Sequence, residues 1–192
     1  MGTFNNISEV KRERIINMVI KEFGTYGYAA ASTNRIVKNL GVSKGSLFKY
    51  FSTKLDLYSY MVTYASENLL DYMKAVTNKS DTWQEKLLNY ASREFDYLME
   101  EPDLYKFFRQ VIKDIELVEL ISIKTFLMEK SSEVYKQLYE TLGLSLELYT
   151  HISYVLTGYN EWFFLEYDGL YNEQVKKKYL EGIKMHLNYI KV

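Results

Sequence analysis

Between residues 44 and 51 the chain offers a surface suited to reading a polyanion. Leu47 and Phe51 stand four apart, the spacing that turns both to one side of a helix. Lys44, Gly45, Ser46, Phe48, Lys49 and Tyr50 are left on the other side, which holds two cations, a serine hydroxyl, aromatic surface and no acid. A lysine ammonium donates to guanine O6 and N7, and a hydroxyl adapts to either kind of base edge. The chemistry of this run is recognition of duplex nucleic acid by hydrogen bonds, with no bond made or broken.

Such a run has to be held by a partner helix. Ile36, Val37 and Leu40 recur at amphipathic spacing in a helix that opens near Thr33. Gly41 follows where that helix must stop, because glycine takes the left-handed geometry of a C-terminal cap at little cost. Val42 is the apolar plug after the turn, and the Ser43 hydroxyl is placed to cap the next helix. Two short helices joined this way, the second basic and outward-facing, make a helix-turn-helix whose second helix enters a major groove. The hydroxyl at Thr33, with the free N–H groups of its helix start, makes a phosphate site. Capping alone is the plainer alternative for Ser32 and Thr33.

Residues of about 9 to 58 resemble the N-terminal domain of the TetR family of transcriptional regulators. The resemblance rests on Phe23 to Gly27 with Tyr28, Thr33, Ile36 to Leu40, Gly41-Val42-Ser43, Gly45, Leu47-Phe48, Tyr50-Phe51, and Lys54 with Leu57. It implies base-edge contacts from Lys44 and Ser46, a close approach to the groove at Gly45, and a phosphate contact from Lys54. Thr33, Ser43, Phe48, Lys49 and Tyr50 complete the implied DNA-binding set. The family often carries tyrosine where Phe48 stands; without the hydroxyl, Phe48 is expected to touch a thymine methyl. Lys11, Arg35, Lys38 and Lys49 read equally as solvated surface charge. The resemblance further implies a repressor that binds a palindromic operator as a homodimer, joined through the last two helices and released by a small-molecule inducer.

Composition fits that outline. The 192 residues are 47% hydrophobic and 26% charged, the balance of a globular chain able to bury a core. One proline and nine glycines leave little punctuation for hairpins, which favours an all-α fold. The absence of cysteine removes disulfides, thiolate zinc sites and cysteine nucleophiles together. No apolar run is long enough for a membrane span and no signal-peptide layout opens the chain, so a cytoplasmic protein with no membrane partner is expected. The net charge of −1 hides an asymmetry. From Glu9 to Lys54 nine bases meet three acids, a balance of +6 that leaves −7 for the rest. A basic head on an acidic body suits a polyanion at one end.

Along the chain, Ser8 opens a first helix striped by Val10, Ile15, Met18, Val19 and Phe23, ending at Gly24 to Gly27. Lys54 to about Asn78 reads as one helix that starts in the head and ends in the body, a mechanical link. Thr82 to Met99, Leu104 to Lys113, Ile115 to Leu142 with a break near Ser122, Leu146 to Asp168, and a last helix from Asn172 to Ile190 follow. The expected architecture is all-α with about nine helices: a three-helix DNA-binding domain over 1–54, then a larger helical ligand-binding and dimerisation domain over 55–192.

Sixteen of the 19 tyrosines and both tryptophans lie after residue 54. Aromatics at helical spacing are mostly core, but tyrosine hydroxyls need partners when buried, and many around a cavity would suit a flat or amphipathic ligand. Arg109, His151, Asn160, Glu161 and Trp162 interrupt otherwise apolar helices and are the candidate ligand-binding residues. An acidic wall would favour a cation and Arg109 a carboxylate; both remain open. Gly158 and Gly182 fall inside the last two helices, where close helix approach would explain them.

Catalysis finds no support. No zinc-protease, phosphate-loop or nucleophile-elbow motif is present, and His151 and His186 lie 35 apart with no spacing typical of zinc. No metal or cofactor is expected. The competing reading is a helical small-molecule-binding or interaction protein that keeps the head but no longer binds DNA. The cationic set Lys44, Lys49 and Lys54 argues against it.

Overall fold

A computed structural model describes residues 4–73, 81–117 and 120–190. Among the described residues the chain is all-α, as expected. Its helices are α1 (Glu9–Ala30), α2 (Thr33–Leu40), α3 (Lys44–Phe48), α4 (Lys54–Met73), α5 (Trp83–Glu100), α6 (Pro102–Asp114), α7 (Ile121–Leu142), α8 (Leu146–Glu166) and α9 (Glu173–Asn188). They form two compact units. One is Met1–Asp71 with Glu101–Met128; the other is Tyr72–Glu100 with Glu129–Val192.

In the first unit α1 buries Ile15, Ile16, Val19, Ile20 and Phe23. Val10, expected on that stripe, is 77% exposed, one turn before the packing begins. The same unit also buries Ile36, Val37 and Leu40 of α2, Leu47 of α3, Phe51, and Leu57, Tyr58, Met61 and Val62 of α4. α6 closes the other side, and a Cβ at Gly24 would come within 3.2 Å of the Phe107 backbone. Tyr58 sits edge-on to Phe23 at 4.8 Å and to Phe107 at 5.7 Å. Phe4 is fully buried and packs on Phe51 and Tyr60 at 4.9 and 5.2 Å.

The first helix does not end at Gly24 to Gly27. It runs on to Ala30 through one non-helical residue, Gly27, with φ 72° and ψ 171°. The buried Asp114 carboxylate accepts the freed Tyr28 N–H at 2.6 Å, so the glycine marks a kink rather than a terminus. Proline stands at the first position of α6, where its missing N–H is harmless. The break expected near Ser122 is present, and α7 begins at Ile121. The expected end of α4 at Asn78 lies outside the described residues.

In the second unit α5 sets Phe95 against Tyr179 of α9 at 5.4 Å and Phe164 of α8 at 6.1 Å. Lys176 and Asp96 pair at 2.6 Å. Gly182 is explained within the chain: a Cβ there would overlap the Tyr159 ring, whose hydroxyl donates to the Tyr179 carbonyl at 3.1 Å. Gly158 has no such reason, since a Cβ there meets nothing within 4 Å.

Candidate nucleic-acid interface

The head is built by caps. Ser32, not Thr33, caps α2, its Oγ accepting from Arg35 N at 3.3 Å. Thr33 is the first helical residue, and its hydroxyl makes no hydrogen bond among the described residues. Gly41 is left-handed at φ 66° and returns its N–H to the Lys38 carbonyl, while Val42 N–H reaches Val37, which closes α2. Ser43 caps α3, accepting from Ser46 N at 3.2 Å, and the two hydroxyls lie 2.9 Å apart. Ser46 thus presents a hydroxyl already oriented by Ser43.

The outward face of α3 matches its pattern, with two refinements. Lys44, Gly45, Ser46 and Lys49 are exposed, whereas Phe48 and Tyr50 are half-buried. Tyr50 stands edge-on to Phe4 at 5.5 Å, and the Lys44 ammonium lies 5.7 Å over the Phe48 ring. A Cβ at Gly45 would meet nothing within 4 Å, so no packing inside the chain asks for glycine there.

Two of the head's cations are engaged by other groups of the chain. Lys54 Nζ donates to the Ala29 carbonyl at 3.1 Å and lies 4.9 Å over the Tyr28 ring, tying the start of α4 to the end of α1. Arg35 donates to Glu22 Oε1 through Nε at 2.8 Å and a terminal nitrogen at 2.6 Å, reaches the Ala30 carbonyl at 3.1 Å, and covers the Tyr26 ring at 4.0 Å. Glu22, only 5% exposed, also accepts Ser32 N–H at 2.8 Å, so this pair seats α2 on α1. Sequence reasoning missed it. The available signal was an acid standing between the apolar positions Ile20 and Phe23.

The body residues separate. Arg109 is half-buried and Asn160 accepts from Tyr179 Oη at 2.9 Å. His151, Glu161 and Trp162 are exposed on α8, on one stripe with Tyr154, Gly158 and Leu165. They therefore line no interior space of this chain. Trp162 at 56%, Leu165 at 72% and Tyr154 at 77% exposure are open to solvent, as are Met185 of α9 and Tyr189 just after it.

One interior group was not anticipated. Glu94 shares a face of α5 with Leu87, Ala91, Tyr97 and Leu98, seven, three, three and four residues away, and all four are buried. No hydrogen bond or ion pair reaches it from the described residues. Burial pushes its carboxyl from 4.5 up to about 7. A raised carboxyl costs nothing below its unfolded value, and the folded state loses stability as pH rises through about 7. Glu94→Gln is thus expected to raise stability by on the order of 2 kcal/mol near pH 8 and to change it little near pH 4, read from urea midpoints. An equal effect at both pH values would remove the burial argument.

Residues 15–61 match the family model described as bacterial regulatory proteins, tetR family. Over that stretch the chain resembles the TetR family. The matched residues are the ones that carry the helix-turn-helix, α2 and α3, with their flanking helices. Solved structures share the fold along nearly the whole length. A TetR-like transcriptional regulator from Rhodococcus sp. RHA1 is 12% identical with a TM-score of 0.73, covering 96% of this chain and 99% of that one. A TerR/AcrR family regulator from Aquifex aeolicus VF5 is 20% identical at a TM-score of 0.68, over 92% and 99%. The TetR family regulator PfmR from Thermus thermophilus is 20% identical at 0.69, over 90% and 94%. No curated protein matches the chain. Among the described residues no helix is long and apolar enough to cross a membrane, and no cluster of His, Asp and Glu could hold a metal ion.

Proposed function

We propose that this chain is a TetR-like, ligand-responsive repressor that works in the cytoplasm. It binds a palindromic operator as a homodimer and is released by a small molecule held in its helical body. Residues 1–54 are the reading head and 55–192 the sensing and pairing body. The observation that carries the reading is the exposed, acid-free face of α3, with Lys44, Ser46 and Lys49 outward and Gly45 vacant beside them. A glycine costs a helix about 1 kcal/mol relative to alanine. With nothing in the chain to fill its place, close approach of an external surface accounts for it, and a groove wall is such a surface.

Lys44 and Ser46 reach base edges in this reading, Phe48 lies against a thymine methyl, and Lys49 with the N–H groups at Thr33 meets phosphate. Lys54 acts chiefly by holding α4 to α1. Duplexes selected by the chain from a random pool, measured by fluorescence anisotropy, test the assignment. Lys44→Ala is expected to weaken the preferred duplex about 10- to 100-fold and to relax preference at one position in each half-site. Lys49→Ala is expected to weaken all duplexes alike and to flatten the salt dependence. Uniform loss from both changes would refute the division of roles, and indifference to duplexes at low salt would refute the function.

Pairing through α8 and α9 is supported by the exposed stripe Tyr154, Trp162, Leu165, Met185 and Tyr189, a set of large apolar groups that a second copy would cover. The open space at Gly158, in the middle of the α8 stripe, allows a partner helix to come close. Two heads are needed to span half-sites one helical turn apart. Trp162→Glu is expected to weaken the dimer at least about 30-fold in sedimentation equilibrium, the scale of an aromatic hot spot. A wild-type monomer at micromolar concentration would defeat the claim.

A further inference from the structure

The helix that faces outward for reading is short. α3 has five residues and buries only Leu47. Helices below about 12–15 residues are marginal in water, so one of this size takes its order from what packs on it. Its start is fixed by the Ser43 cap. At its end the Lys49 N–H returns to the Gly45 carbonyl at 3.0 Å, and the Tyr50 and Phe51 N–H groups return to Leu47 at 3.0 and 3.4 Å. Phe4 lies against both rings of that turn, 4.9 Å from Phe51 and edge-on to Tyr50 at 5.5 Å. It also stands edge-on to Tyr60 of α4 at 5.2 Å, so one ring joins the end of α3 to the next helix. Edge-to-face rings at such separations attract beyond their area burial.

Phe4 is placed by tertiary packing rather than by its neighbours in sequence. Asn5, Asn6, Ser8, Glu9 and Val10 are exposed, while Phe4 is fully buried. The Ser8 side chain does not cap α1. The segment is folded back by a turn, with Ile7 N–H donating to the Phe4 carbonyl at 3.4 Å, and is latched by Tyr60 Oη, which donates to Asn5 Oδ1 at 3.0 Å. Phe4 also lies outside residues 15–61, so the family resemblance gives it no role. We propose that Phe4 is a positioning residue for duplex reading, holding the C-terminal end of α3, with Lys49 and Tyr50, in the one register that sequence-specific contact needs. This rests on the reading that α3 enters a groove. Base-edge hydrogen bonds need fixed geometry, whereas attraction of lysines to phosphate tolerates spread. A helix ordered beforehand also loses less affinity to ordering on binding. Phe4 therefore acts on discrimination more than on attraction.

The test sets Phe4→Ala and Phe4→Leu beside the full-length wild type, on the duplex selected from a random pool and on a scrambled duplex of equal length. Fluorescence anisotropy is read at a temperature where circular dichroism shows each chain folded. Phe4→Ala is expected to lose about 10- to 30-fold on the selected duplex and under about threefold on the scrambled one at low salt. Phe4→Leu, which refills the site with apolar volume, is expected to recover most of that loss. Val111→Ala, a core change in α6 at a residue 1% exposed, is expected to lower stability and leave the ratio of the two affinities unchanged. Amide hydrogen exchange in Phe4→Ala is expected to quicken at Lys49, Tyr50 and Phe51 and not in α2. A wild-type ratio in Phe4→Ala, or an equal fall of the ratio in Val111→Ala, overturns the proposal and leaves the function standing. If the wild type itself does not distinguish the two duplexes, function and proposal fall together. Should Phe4→Ala fail to fold, Phe4→Leu decides: its Lys49, Tyr50 and Phe51 amides must exchange at least about threefold faster than in the wild type with α2 unchanged, and equal rates overturn the proposal.

Discussion

Asp114→Ala is expected to lower the stability of the first unit by about 3–5 kcal/mol, the loss from stranding several buried donors at once. Asp114 is 8% exposed and accepts from three groups: Tyr28 N at 2.6 Å, Tyr58 Oη at 3.3 Å and Gln110 Nε2 at 3.0 Å. The kink at Gly27 comes just before Tyr28, whose N–H the carboxylate takes up. Burial, followed by the charge and hydrogen bond of Asp114, raises the Tyr58 hydroxyl above its usual range, so it remains a donor at any working pH. Removing the carboxylate leaves that hydroxyl and the N–H dry and unpaired, a cost of about 1–3 kcal/mol each. Asp114→Asn keeps one acceptor and should cost clearly less. Thermal melts at fixed chain concentration should show a fall of roughly 10 °C for alanine, taking about 2–4 °C per kcal/mol at this chain length. Both tryptophans, Trp83 and Trp162, lie in the second unit, so circular dichroism is the better signal for this one. A fall under about 2 °C would mean that water replaces the carboxylate and that the junction is not closed.

Gly27→Ala is expected to cost about 3 kcal/mol or more, through strain and overlap together. A φ of 72° with ψ 171° is a region open essentially to glycine alone. The added Cβ would stand 2.6 Å from Gln110 Nε2 and 3.0 Å from Asp114 Oδ1. The glutamine end can swing away, but the carboxylate is held by its three donors. Gly41 supplies the control. Its φ is similar at 66°, but ψ 30° is ordinary left-handed helix and a Cβ there meets nothing within 4 Å. Gly41→Ala should therefore cost only about 1–2 kcal/mol. In an Asp114→Ala background the Gly27→Ala cost should shrink, since one of the atoms it strikes is gone. Full additivity in that double mutant would indicate backbone strain alone, and equal costs at Gly27 and Gly41 would deny the overlap.

The helix-turn-helix was legible because each of its signals is local. Caps at Ser43 and Gly41, the inward set Ile36, Val37, Leu40, Leu47 and Phe51, and the outward lysines all act within a few residues of one another. Spacing and backbone preference are enough to place such features. What escaped were features made by residues far apart in sequence. Glu22 looked like one of three acids in a basic stretch, yet it seats Arg35 and Ser32. Lys54 reads as a cation at a helix start, yet its ammonium reaches back 25 residues to the Ala29 carbonyl. Glycines at 24 and 27 read as a helix end, since nothing nearby announces that α6 presses on one and that Asp114 takes over the hydrogen bonding after the other.

The body shows the same division. Periodicity found α8 and α9, but apolar side chains at helical spacing mark a stripe without saying whether this chain or another surface covers it. His151, Glu161 and Trp162 therefore looked like interruptions of a core and stand instead on the outward side of α8. Glu94 passed unnoticed because an acid on a helix is usually solvated; only its neighbours' burial sets it apart. By itself the sequence determined the helical class, the helix-turn-helix with its cationic face, and the resemblance to a family, all of which rest on short-range propensity and pattern. Which charges are taken up inside the fold, where α1 kinks, and which aromatic faces stay uncovered were decided only when distant segments packed together, because desolvation and pairing depend on what the chain brings close in space.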